Sequence, residues 1–273
     1  MEGCIINKFR IIRLLGEGGM AKVWLADHQE NNLNVAIKIL DHKFYKDDNI
    51  KQRFYKEAKE LLKLSHPNIV TVFEYIEEGY LVAFIMEYIG NNTLKYHILN
   101  THLSPLIKFQ FIIEMLNAVD HLHDNNIIHR DLKPDNFLVT KNYNLKLTDF
   151  GIIKLINQKE SDIYHDETKV GSQMGSRRYK SPEQVKDAKN VDKSSDIYSL
   201  GVIVWEIITS QRVYNDIMGF DIEIAVVTKP LPLTNTIWDE IIQKATQKNP
   251  EKRFNNLKAF IEDVSKLRRK ITI

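Results

Sequence analysis

The chain has 273 residues, 43% of them apolar and 27% charged, with a formal net charge of +2. These values suit one large soluble domain, or a fused pair of lobes, with a sizeable core. The near-neutral balance argues against a dedicated nucleic-acid binder, and a single cysteine, Cys4, excludes an internal disulfide and points to a reducing compartment.

The opening residues lack the apolar core of a signal peptide, and Gly3 stands one place too late for the myristoylation pattern. Residues 9–15 and 23–27 read as strands around a glycine cluster, and residues 34–40 alternate toward Lys38. From 48 to 64 apolar Phe54, Ala58, Leu61 and Leu62 recur at helical spacing, and His66-Pro67 ends that helix. Residues 69–76 and 81–88 read as two further strands joined by a turn at 77–79. The polar stretch Gly90-Asn91-Asn92 is a linker candidate. Beyond it helices are expected over 106–124, 194–209, 238–247 and 257–270, with short β pieces at 137–140 and 145–148. The most apolar run, 202–208, is too short for a bilayer span of roughly 18–20 residues and contains Glu206, so it reads as a buried helix. The expected architecture is α+β: a small β-rich lobe with one main helix, a hinge and a larger helical lobe. Inter-lobe clefts of that kind favour nucleotides.

Five features carry chemistry. Gly16-Glu17-Gly18-Gly19 lies between two strands, where glycines let backbone amides approach phosphate oxygens. Taken alone, such a hairpin is more often just a tight turn. It is not a Walker loop, since no Gly-Lys-Ser/Thr follows, nor a dinucleotide fingerprint, since a strand rather than a helix comes next. Lys38 ends the run Val35-Ala36-Ile37-Lys38 and by itself could simply reach to solvent. Glu57, on the next helix, is a candidate partner for it, with Glu60 equally available by charge. His129-Arg130-Asp131-Leu132-Lys133-Pro134-Asp135-Asn136 is the strongest signal. It puts a carboxylate, an ammonium and an amide within a few residues, which is what phosphoryl transfer requires: a proton acceptor, a cation and a metal ligand. Asp149-Phe150-Gly151 follows a short strand, where a carboxylate can hold magnesium.

The order of glycine loop, VAIK, helix glutamate, HRDLKPDN, DFG and Ser181-Pro182-Glu183 resembles the protein-kinase signature, over about residues 9–260. The loop form GEGGMA and the run SPEQ at 181–184 resemble the bacterial-type subgroup of eukaryotic-like (Hanks-type) serine/threonine kinases. The resemblance implies a bilobal kinase fold, a single domain over 1–273 with N-lobe 1–88, hinge 87–92 and C-lobe 93–273. It implies transfer of the ATP γ-phosphate to Ser/Thr hydroxyls of proteins, with magnesium (or manganese) as the metal. Asp131 matches the catalytic base, Lys133 the lysine on the γ-phosphate, and Asn136 and Asp149 the metal positions. Lys38 and Glu57 match the paired lysine and helix glutamate. Gly16 and Gly18 would cover the phosphates. Leu15, Val23, Ala36 and Leu138 would enclose the adenine, Met86 resembles the gatekeeper, and the backbone at Glu87, Tyr88 and Ile89 would bond the base. Lys133-Pro134 and Ser176 favour Ser/Thr over Tyr.

Glu183 is expected to brace against Arg253, and Asp196 to support the catalytic loop. Arg130 implies that a phosphate on the activation segment could dock there. Thr168 and Ser172 are the acceptors expected for autophosphorylation between two copies of the chain. Ala21 replaces the third glycine, and Gln211-Arg212-Val213-Tyr214 departs from the usual pattern, which leaves substrate docking over 215–236 open. His121 and His123 have metal-like spacing but read as structural, and the basic run 266–270 as a solvated helix face. The partners expected are ATP and a protein substrate, with no nucleic acid and no membrane, in the cytoplasm. A catalytically silent binding module and a small-molecule phosphotransferase are the competing readings. The intact Lys38, Glu57, Asp131, Asn136 and Asp149 oppose the first, and the long segment ending at Glu183 opposes the second.

Overall fold

Period-two burial builds the first part of the chain. In the computed structural model, which describes residues 1–31, 33–149, 177–187 and 191–271, Met1–Asn91 and Asn92–Ile273 form two units. The first holds an antiparallel sheet of β1 (Ile5–Ile6), β2 (Phe9–Glu17), β3 (Ala21–His28), β4 (Asn34–Leu40), β5 (Val72–Glu78) and β6 (Leu81–Glu87). Their spatial order is β1-β2-β3-β4-β6-β5. One sheet face buries Phe9, Ile11, Ala26, Ile37, Ile39 and Ile85 in a common core. The two-residue β1 was not expected. The strand expected over 69–76 begins only at Val72, because the Ile69 N–H closes a turn on His66 O (3.1 Å) before the ladder starts.

Helix α1 (Asp48–Leu61) crosses between β4 and β5. Asp47 caps it, accepting from Asn49 N and Ile50 N, which satisfies amides that would otherwise lack partners. Its buried stripe is Phe54, Glu57, Ala58 and Leu61, the 3–4 spacing of one helix face. A glutamate on that stripe costs free energy unless it is paired. The helix stops three residues short of the expected end.

The second unit contains α2 (Leu94–Asn100), α3 (Pro105–Asp124), β7 (Phe137–Val139), β8 (Leu145–Leu147), α4 (Pro182–Lys186), α5 (Lys193–Thr209), α6 (Asp221–Thr228), α7 (Asp239–Ala245) and α8 (Leu257–Ile271). Helix α5 is its axis, buried on all sides from Ser195 to Ile207. Gly201 lets α7 approach: a Cβ there would lie 2.7 Å from Ala245 Cβ. Helices α2, α4 and α6 were not expected. Each is eight residues or shorter. The run 202–208 lies within α5. Among the described residues no helix is long and apolar enough to cross a membrane.

Candidate functional site

The sheet of the first unit sorts the predicted nucleotide residues onto one face. Cross-strand partners share a face. Gly16 pairs with Val23, Val23 with Lys38, Lys38 with Phe84, and Ala36 with Met86. The alternate positions Trp24, Ile37 and Ile85 point to the opposite, core face. Leu15 falls in the register shift between Leu14 and Gly16. Ala36 and Met86 are buried, while Leu15 and Val23 are half-buried. The Glu87 side chain accepts from Thr71 N (2.9 Å), and Ile89 follows β6.

Lys38 Nζ donates to Glu57 Oε1 at 2.8 Å and sits 5.4 Å from the centre of the Phe84 ring. Glu57 is 1% exposed and Lys38 16%. A buried pair of this kind is held by geometry, since losing either partner strands the other charge. The structure thus selects Glu57; Glu60 instead pairs with Lys63 at 2.7 Å.

In the second unit the His129–Asn136 loop hangs from Asp196 on α5. Its fully buried carboxylate accepts from His129 N (2.9 Å), Arg130 N (2.8 Å) and His123 Nε2 (2.8 Å). His123 is therefore a structural donor. Among the described residues no cluster of three or more His, Cys, Asp or Glu could hold a metal by itself. Burial pushes the His129 imidazole below its ordinary pKa. The neutral ring then accepts at Nδ1 from Asp131 N (3.3 Å). Arg130, also shifted down by burial, adopts φ 65° and donates to Val191 O at 3.3 Å. The left-handed backbone there is strained for a side chain this large and is held by the Asp196 bond to its N–H.

That loop presents the predicted chemistry together. Lys133 Nζ donates to Asp131 Oδ2 at 3.0 Å, and Asp131 remains 36% exposed. Asn136 is buried, and its Nδ2 donates to Asp131 O (2.9 Å) and Asp149 O (3.4 Å). This turns the amide so that its Oδ1 is the atom left to serve as a ligand. Thr148 N bonds Asn136 O (2.8 Å), which ties the strand leading to Asp149 to the loop. Asp149 is exposed, with φ 51°. Leu138 on β7 is half-buried.

Beside the loop, Glu183 forms a two-point pair with Arg253 (2.7 and 2.8 Å) and accepts from Ser195 Oγ. Burial would raise the Glu183 carboxyl, but Arg253 and Ser195 outweigh it and bring its pKa to about 2. Phe150, Gly151, Thr168, Ser172 and Ser176 lie outside the described residues.

Comparison with known proteins decides the family. The protein kinase domain model matches residues 9–270. The chain belongs to the protein kinase domain family. This kinase domain is 34% identical over 269 residues to the serine/threonine-protein kinase PrkC of Bacillus subtilis, covering 95% of the chain and 40% of PrkC. It is likewise 34% identical over 268 residues to the probable serine/threonine-protein kinase PknB of Lactococcus lactis, covering 95% of the chain and 42% of that protein. The chain therefore spans about two fifths of the length of these relatives. The crystal structure of a double mutant of the Mycobacterium tuberculosis PknI kinase domain superposes with a TM-score of 0.71, covering 97% of this chain and 98% of that one. At 20% identity that likeness shows the fold alone: an antiparallel-sheet N-lobe and a helical C-lobe.

Sequence reasoning missed three contacts of this kinase domain. Phe84 lies under Lys38, Lys95 pairs with Asp135 at 2.8 Å, and Gln184 Nε2 donates to Arg130 O at 2.8 Å. Only the last had a signal. Ser181-x-x-Gln184 is a capping box, formed here on α4, but its onward bond to the loop crosses 54 residues.

Proposed function

We propose that this domain transfers the γ-phosphate of MgATP to serine or threonine hydroxyls of proteins. The observation that carries the reading is the loop geometry: a half-exposed Asp131 carboxylate 3.0 Å from Lys133 Nζ, on backbone clamped by Asp196 and Asn136. Asp131 takes the hydroxyl proton as the substrate oxygen bonds to the γ-phosphorus. The bond from that phosphorus to the β-bridging oxygen breaks, and ADP leaves. Lys133 balances the negative charge of the transferring group. Lys38, fixed by Glu57, holds the α- and β-phosphates.

The residues fit MgATP. A Cβ at Gly16 would meet nothing within 4 Å, and one at Gly18 only Ala21 O at 3.4 Å. Among the described residues nothing demands glycine at either position, so the open space suits an outside group that comes close to the backbone. Val23, Ala36 and Met86 share the face of Lys38 and, with Leu15 and Leu138, are assigned to the adenine; Glu87 and Ile89 supply backbone to its edge. Asn136 Oδ1 and Asp149 are assigned to the metal, two protein oxygens being typical of magnesium shared with phosphates. Bound magnesium, or manganese, would neutralise phosphate charge. The names of PrkC and PknB support serine and threonine as acceptors. We further read residues 1–273 as one domain with lobes 1–88 and 93–273 and a hinge at 87–92, acting in the cytoplasm. Thr168 or Ser172 would be phosphorylated in a transient homodimer.

The test incubates the protein with labelled ATP, magnesium and a generic basic protein, beside Asp131→Asn and Lys38→Ala. Transfer should fall by about a hundredfold or more in Asp131→Asn, the scale of losing a positioned base. Phosphoamino-acid analysis should return phosphoserine or phosphothreonine. Equal transfer by wild type and Asp131→Asn sinks the assignment.

A further inference from the structure

Helix α1 owes its place to more than its buried stripe. Three aromatic contacts join it and its entry segment to the β5–β6 hairpin. Phe54 packs on Phe84 (5.1 Å between centroids), Tyr55 meets Tyr75 edge-on (5.1 Å), and Tyr45, two residues before the cap, meets Tyr80 (4.5 Å). His42 stacks on Tyr45 at 6.1 Å and lies 6.0 Å from Tyr80, closing a triangle of rings. Lys51, on the first turns of α1, sits 5.6 Å over the Tyr45 ring and pairs with Asp48 at 3.1 Å.

The three contacts differ in burial. Phe54 and Phe84 belong to the core at 4% and 1% exposure, whereas Tyr55 is 43% and Tyr80 69% exposed. Rings that exposed bury little apolar area for the fold as a whole. What they do is local. The Tyr45–Tyr80 contact holds the segment that leads into α1, and Tyr55–Tyr75 stands one residue off the stripe. Together they fix the helix against rotation about its own axis. Glu57 lies one turn beyond Phe54 on that stripe, so a rotation of α1 carries Glu57 away from Lys38. A helix of 14 residues is marginal by itself in water and takes its position from such packing.

We propose that Tyr80, with Tyr45 and His42, and the Tyr55–Tyr75 pair are positioning residues: an external aromatic clamp that keeps Glu57 on Lys38. The proposal rests on the reading of Lys38–Glu57 as the phosphate-holding pair, but its structural half is testable without any turnover. Phe73 provides the control. It is 55% exposed on the same strand β5 and makes no ring contact with α1.

The experiment compares wild type, Tyr80→Ala, Tyr55→Ala, Tyr80→Phe and Phe73→Ala. It reads hydrogen exchange of the α1 amides, labelling of Lys38 by an amine-reactive reagent without nucleotide, and the melting temperature. Losing one aromatic contact should speed both local readouts by about two- to tenfold. That acceleration is expected in Tyr80→Ala and Tyr55→Ala at unchanged melting temperature. Tyr80→Phe should restore wild-type rates, and Phe73→Ala should match them. In the phosphotransfer assay the two alanine variants should raise KM for ATP by a similar factor. Wild-type exchange and labelling in both alanine variants overturn the clamp. So does a fall in melting temperature with exchange accelerated throughout the first unit, which marks a merely structural role. A wild type that transfers no phosphate defeats the kinase reading instead, while exchange and labelling still decide the clamp.

Discussion

Replacing Arg253 with methionine isolates the energetics of the brace behind the His129–Asn136 loop. Arg253 is 3% exposed and spends its guanidinium on five acceptors. These are the two Glu183 oxygens, Gln247 O (2.8 Å), Ser194 O (2.9 Å) and Lys248 O (3.3 Å). It also lies 5.0 Å over the Tyr198 ring. Methionine keeps much of the volume but strands the Glu183 carboxylate, and breaking a buried pair from one side costs about 3–5 kcal/mol. The lowered Glu183 pKa gives a second figure for the same pair. Its pKa falls from 4.5 to about 2, which corresponds to about 3 kcal/mol of stability at pH 7. The folded pKa is the lower one, so this contribution is complete above the unfolded value and drains away as pH falls toward 2. At pH 3.5 about 2 kcal/mol should remain. Denaturant titration of wild type and Arg253→Met at both pH values reads the difference directly. The variant should lose about 3 kcal/mol or more at neutrality and about 1 kcal/mol less than that in acid. A loss at pH 3.5 that equals or exceeds the loss at pH 7 refutes the reasoning, because the damage would then not run through the Glu183 charge.

Two other perturbations follow from the second unit. Gly201→Ala places a Cβ 2.7 Å from Ala245 Cβ and 2.8 Å from Thr246 Cγ2. Thermal unfolding should show a destabilisation of about 1–3 kcal/mol, typical of overpacking, despite alanine's better helix propensity. Glu206 is 2% exposed, accepts from Val213 N (2.9 Å) and Tyr179 OH (3.0 Å), and is pushed up by burial to about 7. A raised carboxyl stabilises the fold below its unfolded pKa and loses that contribution as pH rises through 7. Wild type should therefore weaken by about 3 kcal/mol relative to Glu206→Gln between pH 4.5 and pH 8. Parallel stability–pH curves for the two proteins contradict that.

The candidate constellation was legible because its charged and amide groups fall in short, ordered stretches. Asp131, Lys133 and Asn136 fall within six residues, and Asp149 follows a recognisable strand. The strands β2–β4 and β6 and the helices α1, α3, α5 and α8 were legible too, each long enough for its period to show in the side chains. Short elements divided: β7, β8 and α7 were expected close to their observed bounds, whereas β1, α2, α4 and α6 were not. Helix α2 draws on seven residues and takes its order from Thr93, Leu94, His97 and Ile98 meeting the rest of the unit. Charge alone left Glu57 and Glu60 equivalent. Tertiary packing separated them, by turning one onto the buried stripe opposite Lys38 and leaving the other to Lys63 at the surface. The same holds for Asp196. Its sequence neighbourhood names a candidate, but only the fold brings a buried carboxylate under two loop amides 66 and 67 residues away. Local order in this protein is set by side-chain period and loop chemistry, which are properties of the chain. Which charges meet is set by burial, because a charge removed from water must find the partner that the fold supplies.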